Sequence, residues 1–175
     1  MDLEQLKYPI GQFTMPEVFD EKQSKIWISE IEALPEQVRN ATENINAELL
    51  NETYRPGGWT VKQVIHHLPD SHMNAYIRFK LAITEEVPVI RPYHEELWAE
   101  TEEAKNGDIE MSVLLLKAVH QRLISFLITL KMEDYQRRYI HPAQGKKFTL
   151  AHMLGMYAWH GKHHLAHIKT TIHRG

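Results

Sequence analysis

The chain has 175 residues and a formal net charge of −3, and it contains no cysteine. The length favours one domain spanning residues 1–175, and the weak negative charge gives no basic surface for nucleic acid. The lack of cysteine excludes disulfide bonds, thiolate metal ligands and a cysteine nucleophile, and it favours the cytoplasm. Apolar runs such as Val113–Leu116 are too short to cross a membrane.

The first segments of the chain are predicted to be an arm and two helical pieces. Residues 1–16 lack periodicity and contain two prolines and a glycine, which predicts an extended N-terminal arm without the apolar core of a signal peptide. Residues 20–33 carry apolar side chains at helical spacing. Pro35 is placed to open a second, separate helical piece, since proline suits the first turn of a helix.

The next long helix follows a break at residues 55–58, and Thr60 is its predicted N-cap. Pro69 conflicts with this helix, because a proline in a helix interior removes a hydrogen bond and costs roughly 3 kcal/mol. We therefore expect either a bend at Pro69 or a helix that begins later than Thr60 indicates.

A long connection, residues 85–107, separates this helix from the third long one. It is predicted to contain one minor helix over residues 94–104. Asp108 then caps the third long helix, which carries a regular apolar stripe.

The last third of the chain is predicted to contain a small hairpin and the fourth long helix. The hairpin covers residues 135–148, and Thr149 caps the helix Leu150–His173. Four long amphipathic helices in one small domain predict an all-α four-helix bundle with a β-hairpin before the last helix. The long link between the second and third helices allows a crossover instead of a simple up-and-down order.

The last helix carries four of the twelve histidines within residues 160–167. Histidines four positions apart point the same way, which is how two imidazoles can be aimed at one metal ion. Turned 100° per residue, His160 and His164 lie at the edge of the apolar face, whereas His163 and His167 turn toward solvent. His160 and His164 are therefore the better pair of ligands, with His167 as a hydrogen-bonding neighbour.

A third histidine from another segment would complete an open site of the kind that catalytic metals use. The second long helix offers His66, His67 and His72. His72 falls in the middle of the apolar face and His67 lies to one side, so periodicity favours His72, either as a ligand or as a buried structural histidine. His120, on the third helix, is expected to be a satisfied core histidine. Spacing alone leaves the third ligand undecided.

Three segments carry a resemblance to a known family: residues 8–13 (YPIGQF), residues 55–72 (RPGGWTVKQVIHHLPDSH) and residues 149–168 (TLAHMLGMYAWHGKHHLAHI). In these segments, and in their order, the chain resembles the DinB/YfiT-like superfamily. The resemblance implies a four-helix bundle that holds one divalent metal ion on three histidines. These map onto His67, His160 and His164. Pro69 departs from the family pattern, in which alanine is common, and this predicts a distorted turn beside His67.

The resemblance also implies an enzyme of one of two kinds. The superfamily includes S-transferases that join bacillithiol, mycothiol or glutathione to electrophiles, a maleylpyruvate isomerase, and many proteins described as metal-dependent hydrolases. We expect an S-transferase acting on a low-molecular-weight thiol, because no glutamate lies between His160 and His164 to serve as a general base. A hydrolase is the alternative, with Asp70 and Glu102 as loosely placed candidate bases.

Three imidazoles suit zinc, nickel, cobalt or iron, and we expect zinc first and nickel second. A non-enzymatic metal-binding module that forms a homodimer is a second alternative. The two classes differ at the metal, since an enzyme requires an open coordination position and a structural site is closed.

Overall fold

The computed structural model describes residues 2–174, which form a bundle of four long helices with short helices at its ends. The helices are α1 (Leu3–Lys7), α2 (Glu21–Thr42), α3 (Ala47–Asn51), α4 (Val61–Thr84), α5 (Glu95–Trp98), α6 (Glu102–Asn106), α7 (Ile109–Leu127) and α8 (Leu150–Ile172). An antiparallel hairpin of β1 (Arg138–His141) and β2 (Lys146–Thr149) precedes α8. None of the helices in residues 2–174 has both the length and the apolarity to span a membrane. The predicted bundle and hairpin are confirmed.

The bundle does not follow a simple up-and-down order. Helices α2 and α4 both pack on α7 and α8. Consecutive long helices therefore lie diagonally in two cases, α2 to α4 and α7 to α8. The long link between α4 and α7, which was long enough to allow a crossover, joins neighbouring helices.

Each of the long helices begins directly after a residue type that is favoured at the N-cap. Each has an N-cap side chain that accepts a hydrogen bond from a free backbone amide in the first turn. The caps are Asp20, Thr60, Asp108 and Thr149. At Thr60 the cap is reciprocal, because Gln63 also accepts a hydrogen bond from the Thr60 amide.

The core consists of two apolar clusters with a layer of histidines between them. The cluster nearer the hairpin includes Trp27, Ile31, Phe79, Leu123 and Leu154, and the other includes Leu34, Leu68, Val113, Leu116 and Leu165. On their own helices, His72, His120 and His160 lie between residues of the two clusters. The bundle thus places its polar groups in one layer near the middle of its length.

Both internal prolines lie within continuous helices, so the predicted break at Pro35 is wrong and a late start of α4 is excluded. A helical proline leaves the carbonyl four residues earlier without its amide partner. For Pro35 that carbonyl belongs to Ile31, and His120 Nδ1 lies 2.6 Å from its oxygen. A side chain from a neighbouring helix therefore satisfies the group that the proline leaves free.

The N-terminal arm is not fully extended, because residues 3–7 form α1. The local signal is a capping box in which Asp2 and Gln5 each accept a hydrogen bond from the other's backbone amide. The minor helix predicted over residues 94–104 is present as two shorter helices, α5 and α6.

Replacing the two prolines should separate their effects on stability. We expect Pro69→Ala to raise the free energy of unfolding by about 2 kcal/mol, because alanine is about 3 kcal/mol better than proline in a helix interior and loss of the buried ring offsets part of this. Pro35→Ala should gain less, since the Ile31 carbonyl already has a donor in His120. Urea unfolding of the metal-free proteins measures both, and equal gains would contradict the role assigned to His120.

Candidate metal centre

The structure brings together the three histidines that the family resemblance implied. One ring nitrogen from each of His67, His160 and His164 lies within 4.8 Å of the other two. His67 Nε2 and His160 Nε2 are 3.2 Å apart. Two nitrogens bound to one tetrahedral zinc ion at about 2.0–2.1 Å lie about 3.3 Å apart, so this pair is already spaced as metal ligands are.

Two helices position these side chains. His160 and His164 are one turn apart on α8 and face the bundle interior, and His67 reaches them from α4. Gly161 allows α8 to approach α2 closely, because a Cβ at that position would overlap the side chain of Leu34. The helix continues through Pro69, and His67 keeps its place beside His160.

Burial keeps the three imidazoles neutral. It lowers the pKa of His67 to about 4. The pKa values of His160 and His164 are also lowered well below the ordinary value, first by burial and then by the neighbouring histidines. Neutral imidazole is the form that binds metal, so no proton has to be displaced near pH 7.

The group is covered by an aromatic ring and has three ligands rather than four. The indole ring of Trp59 packs on the rings of His67 and His164, with centroids 4.8 and 6.4 Å away. Within residues 2–174, no carboxylate joins the three histidines as a fourth ligand. The donor set fits a divalent ion with at least one open position, as in catalytic rather than closed structural sites.

His72, which periodicity favoured as a ligand, lies behind His160 instead. Its Nε2 is 3.2 Å from His160 Nδ1, and its Nδ1 is 2.9 Å from His120 Nε2. His120 is a buried and fully paired core histidine, as predicted. His66 points elsewhere and pairs with Ser112.

The expectation that His163 and His167 face solvent is wrong. Their exposed fractions are 7% and 2%, because the N-terminal arm covers this side of α8. His167 Nε2 lies 3.3 Å from the carbonyl oxygen of Lys7, and the ring of Tyr8 packs near His163. His167 Nδ1 is 3.4 Å from His164 Nδ1, so His167 is the predicted neighbour of that ligand.

Helix α8 also carries a second group of three histidines. His163, His164 and His167 each offer a nitrogen within 4.8 Å of the others. This group shares His164 with the first one.

Sequence reasoning did not find a cation next to the histidines. Arg78 Nη1 donates a hydrogen bond of 2.9 Å to the hydroxyl of Tyr157, whose ring centroid is 5.9 Å from that of His160. Arg78 Nε is buried and has no partner among residues 2–174. Residue spacing could have identified Arg78, because residues a whole number of turns apart lie on one face of a helix. Arg78 follows His67 by three turns, and Tyr157 precedes His160 by one.

A sequence profile described as the DinB superfamily matches residues 30–168. The chain belongs to the DinB superfamily. Proteins from Bacillus cereus (strain 03BB102) and Bacillus thuringiensis subsp. konkukian, both called "putative metal-dependent hydrolase", are 46% identical over 169 residues, or 97% of this chain and 96% of theirs. YfiT from Bacillus subtilis, described as a probable metal-dependent hydrolase with an unusual four-helix bundle topology, matches with a TM-score of 0.94 at 44% identity, covering 97% of each chain.

The metal site of this DinB superfamily member can be tested by metal content. We expect about one zinc or nickel ion per chain by ICP-MS, and loss of it in His160→Ala, because two imidazoles leave an incomplete set. The matched control is His94→Ala, since His94 is exposed and pairs with Glu96, away from the three histidines. Equal metal in wild type and His160→Ala would contradict the site.

The buried histidines should also make the metal-free protein sensitive to acid. Burial lowers the pKa of His120 to about 4, whereas the unfolded chain takes up a proton near pH 6.5. Stability is therefore complete above about pH 6.5 and falls as the pH drops toward 4, with His120 alone accounting for about 2 kcal/mol at pH 5.

Unfolding of metal-free His120→Gln between pH 7 and 5 measures this contribution, because the other histidines are common to both proteins. We expect a shallower pH dependence than in wild type. If the free energies of unfolding of the two proteins changed equally with pH, His120 would protonate as easily in the folded chain as in the unfolded one.

Proposed function

We propose that this chain is a metal-dependent S-transferase that joins a low-molecular-weight thiol to a small electrophile. The observation that carries the proposal is the group of His67, His160 and His164, which offers three imidazole nitrogens and, within residues 2–174, no carboxylate as a fourth ligand. The chain has no cysteine, so the sulfur comes from a second substrate.

We propose zinc as the metal, with nickel as the second choice, because both accept three imidazole ligands. When bound, the ion supplies Lewis acidity, which lowers the pKa of a thiol or a water that reaches it. His67, His160 and His164 hold the ion without adding negative charge, so its full positive charge is available to the reaction.

The remaining residues bind and shield the substrates. The indole of Trp59 covers the histidines on one side and limits the access of water. The guanidinium of Arg78, which Tyr157 joins to the ring of His160, is the group that binds a carboxylate of the thiol, and such charge-assisted hydrogen bonds are among the strong ones. In the transfer, the sulfur bonds to the electrophilic carbon, the thiol proton leaves to solvent, and the leaving group departs.

A hydrolase is the second candidate, and Asp70 is the residue that favours it. Burial, helped by the negative charge of Glu103, raises the pKa of this carboxyl to about 6. A carboxylate with that pKa can act as a general base near neutral pH. Glu102, the other candidate base, is exposed and accepts a hydrogen bond from Asn106. The relatives' names also favour hydrolysis.

A homodimer remains part of the proposal. Helix α7 exposes Met111, Leu114 and Leu115, with exposed fractions of 68, 46 and 41%. A second copy of the chain is the partner that would cover such a face in a symmetric dimer. A non-enzymatic metal-binding dimer is supported only if the protein shows neither activity described below.

Activity with and without thiol separates the two enzymes. We expect the zinc-loaded protein to conjugate bacillithiol or glutathione to a chlorinated aromatic electrophile, and His160→Ala to lose this activity. Arg78→Gln should raise the KM for the thiol about tenfold or more, because a hydrogen bond to a charged group contributes about 1.5–3 kcal/mol. Asp70→Asn should retain the transfer. Ester hydrolysis without thiol, lost in Asp70→Asn, would establish the hydrolase instead.

A further inference from the structure

A continuous row of hydrogen-bonded imidazoles leads from the metal site to the opposite side of the bundle. His160 Nδ1 lies 3.2 Å from His72 Nε2, and His72 Nδ1 lies 2.9 Å from His120 Nε2. His120 Nδ1 ends the row at the carbonyl oxygen of Ile31, 2.6 Å away. We call His160, His72 and His120, together with the Ile31 carbonyl, the first imidazole chain.

The carbonyl at its end fixes the direction of every hydrogen bond. A carbonyl only accepts, so His120 must donate from Nδ1. A neutral imidazole has one N–H and one lone pair, and His120 Nε2 therefore accepts from His72 Nδ1. The same rule makes His72 Nε2 accept from His160 Nδ1. The lone pair of His160 is left on Nε2, the nitrogen that faces His67.

A second imidazole chain, formed by Lys7, His167 and His164, fixes the direction of the hydrogen bonds that end at the ligand His164. The Lys7 carbonyl accepts from His167 Nε2 at 3.3 Å. His167 Nδ1 then carries a lone pair and accepts from His164 Nδ1 at 3.4 Å. The lone pair of His164 is likewise left on Nε2.

Both terminal carbonyls are free to accept because they lack a helical amide partner. Pro35 removes the amide that would bond to the Ile31 carbonyl. Lys7 is the last residue of α1, and the final carbonyls of a helix have no partner within it. A proline therefore frees the carbonyl that ends the first imidazole chain, and a helix end frees the carbonyl that ends the second.

We propose that His72, His120 and His167 are positioning residues that hold His160 and His164 in the Nδ1–H tautomer, with both Nε2 lone pairs directed at the metal before it binds. The inference rests on the metal site of the proposed function, but not on the choice between transferase and hydrolase. Its first test uses metal-free protein, so it can fail while the metal site stands, or hold if the site is absent.

The tautomers can be read directly by NMR. Long-range ¹H–¹⁵N correlation spectra of metal-free, ¹⁵N-labelled wild-type protein at pH 7 distinguish Nδ1–H from Nε2–H rings. We expect Nδ1–H for His120, His72, His160 and His164, and Nε2–H for His167. The opposite tautomer at His72 or His160 would overturn the first chain, and the opposite tautomer at His167 would overturn the second. This measurement requires no variant to fold.

Zinc affinity tests the function of the first chain. His72→Phe keeps a ring of similar shape but removes both hydrogen bonds, and we expect it to weaken zinc binding 10- to 100-fold in a chelator competition. His72→Gln can donate at one end and accept at the other, so it should recover part of this affinity. No loss in His72→Phe, or the same loss in both variants, would overturn the positioning role.

The second chain has a matched control on the same helix. His167→Phe should weaken zinc binding, whereas His163→Phe should not, because His163 lies outside both chains and its ring packs flat on Trp159 in a way that phenylalanine can copy. Equal loss in the two variants would place the zinc on His163, His164 and His167 and overturn the proposal.

Discussion

The structure depends on the pairing of imidazoles that have been removed from water. Seven histidines are buried in residues 2–174: His66, His67, His72, His120, His163, His164 and His167. A buried polar group without a partner loses its hydrogen bonds to water and receives nothing in return. The bundle resolves this by pairing most of these rings with one another, with backbone carbonyls, or with Ser112. The positions of the four long helices must satisfy these pairings as well as the packing of apolar side chains.

This requirement explains why the histidines form a layer rather than a scattered set. On α4, α7 and α8, apolar residues occupy the turns on both sides of His72, His120 and His160, and they form the two core clusters. The apolar clusters hold the helices at fixed distances, and the layer between them uses that rigidity to keep ring nitrogens within reach of each other. A site supported on packed helices is held more accurately than one on loops.

The sequence predicted those features that depend on neighbouring residues along the chain. The N-caps at Thr60, Asp108 and Thr149 and the pairing of His160 with His164 are local patterns, and the structure contains all of them. Periodicity gave the direction of His72 but not its distance from the other rings, so it could not separate a ligand from the residue behind one. The family resemblance selected His67, and the structure places it beside His160.

The errors came from contacts between distant parts of the chain. Pro35 does not break α2, and the donor for the Ile31 carbonyl is His120, which lies on another element. His163 and His167 are buried rather than exposed, because residues near the N-terminus cover them. In both cases helical periodicity described the isolated helix correctly, and a tertiary contact changed the surroundings.

The use of Lys7 through its backbone has a consequence for how this chain can vary. A carbonyl oxygen is present whatever the side chain, so substitutions at position 7 leave the contact to His167 in place. The path of the arm is different, because the hydrogen bond from Trp159 Nε1 to the Gly11 carbonyl fixes a second point only four residues later. Inserting or deleting one residue between these two anchors would displace one of them. The arm can therefore change in composition far more readily than in length.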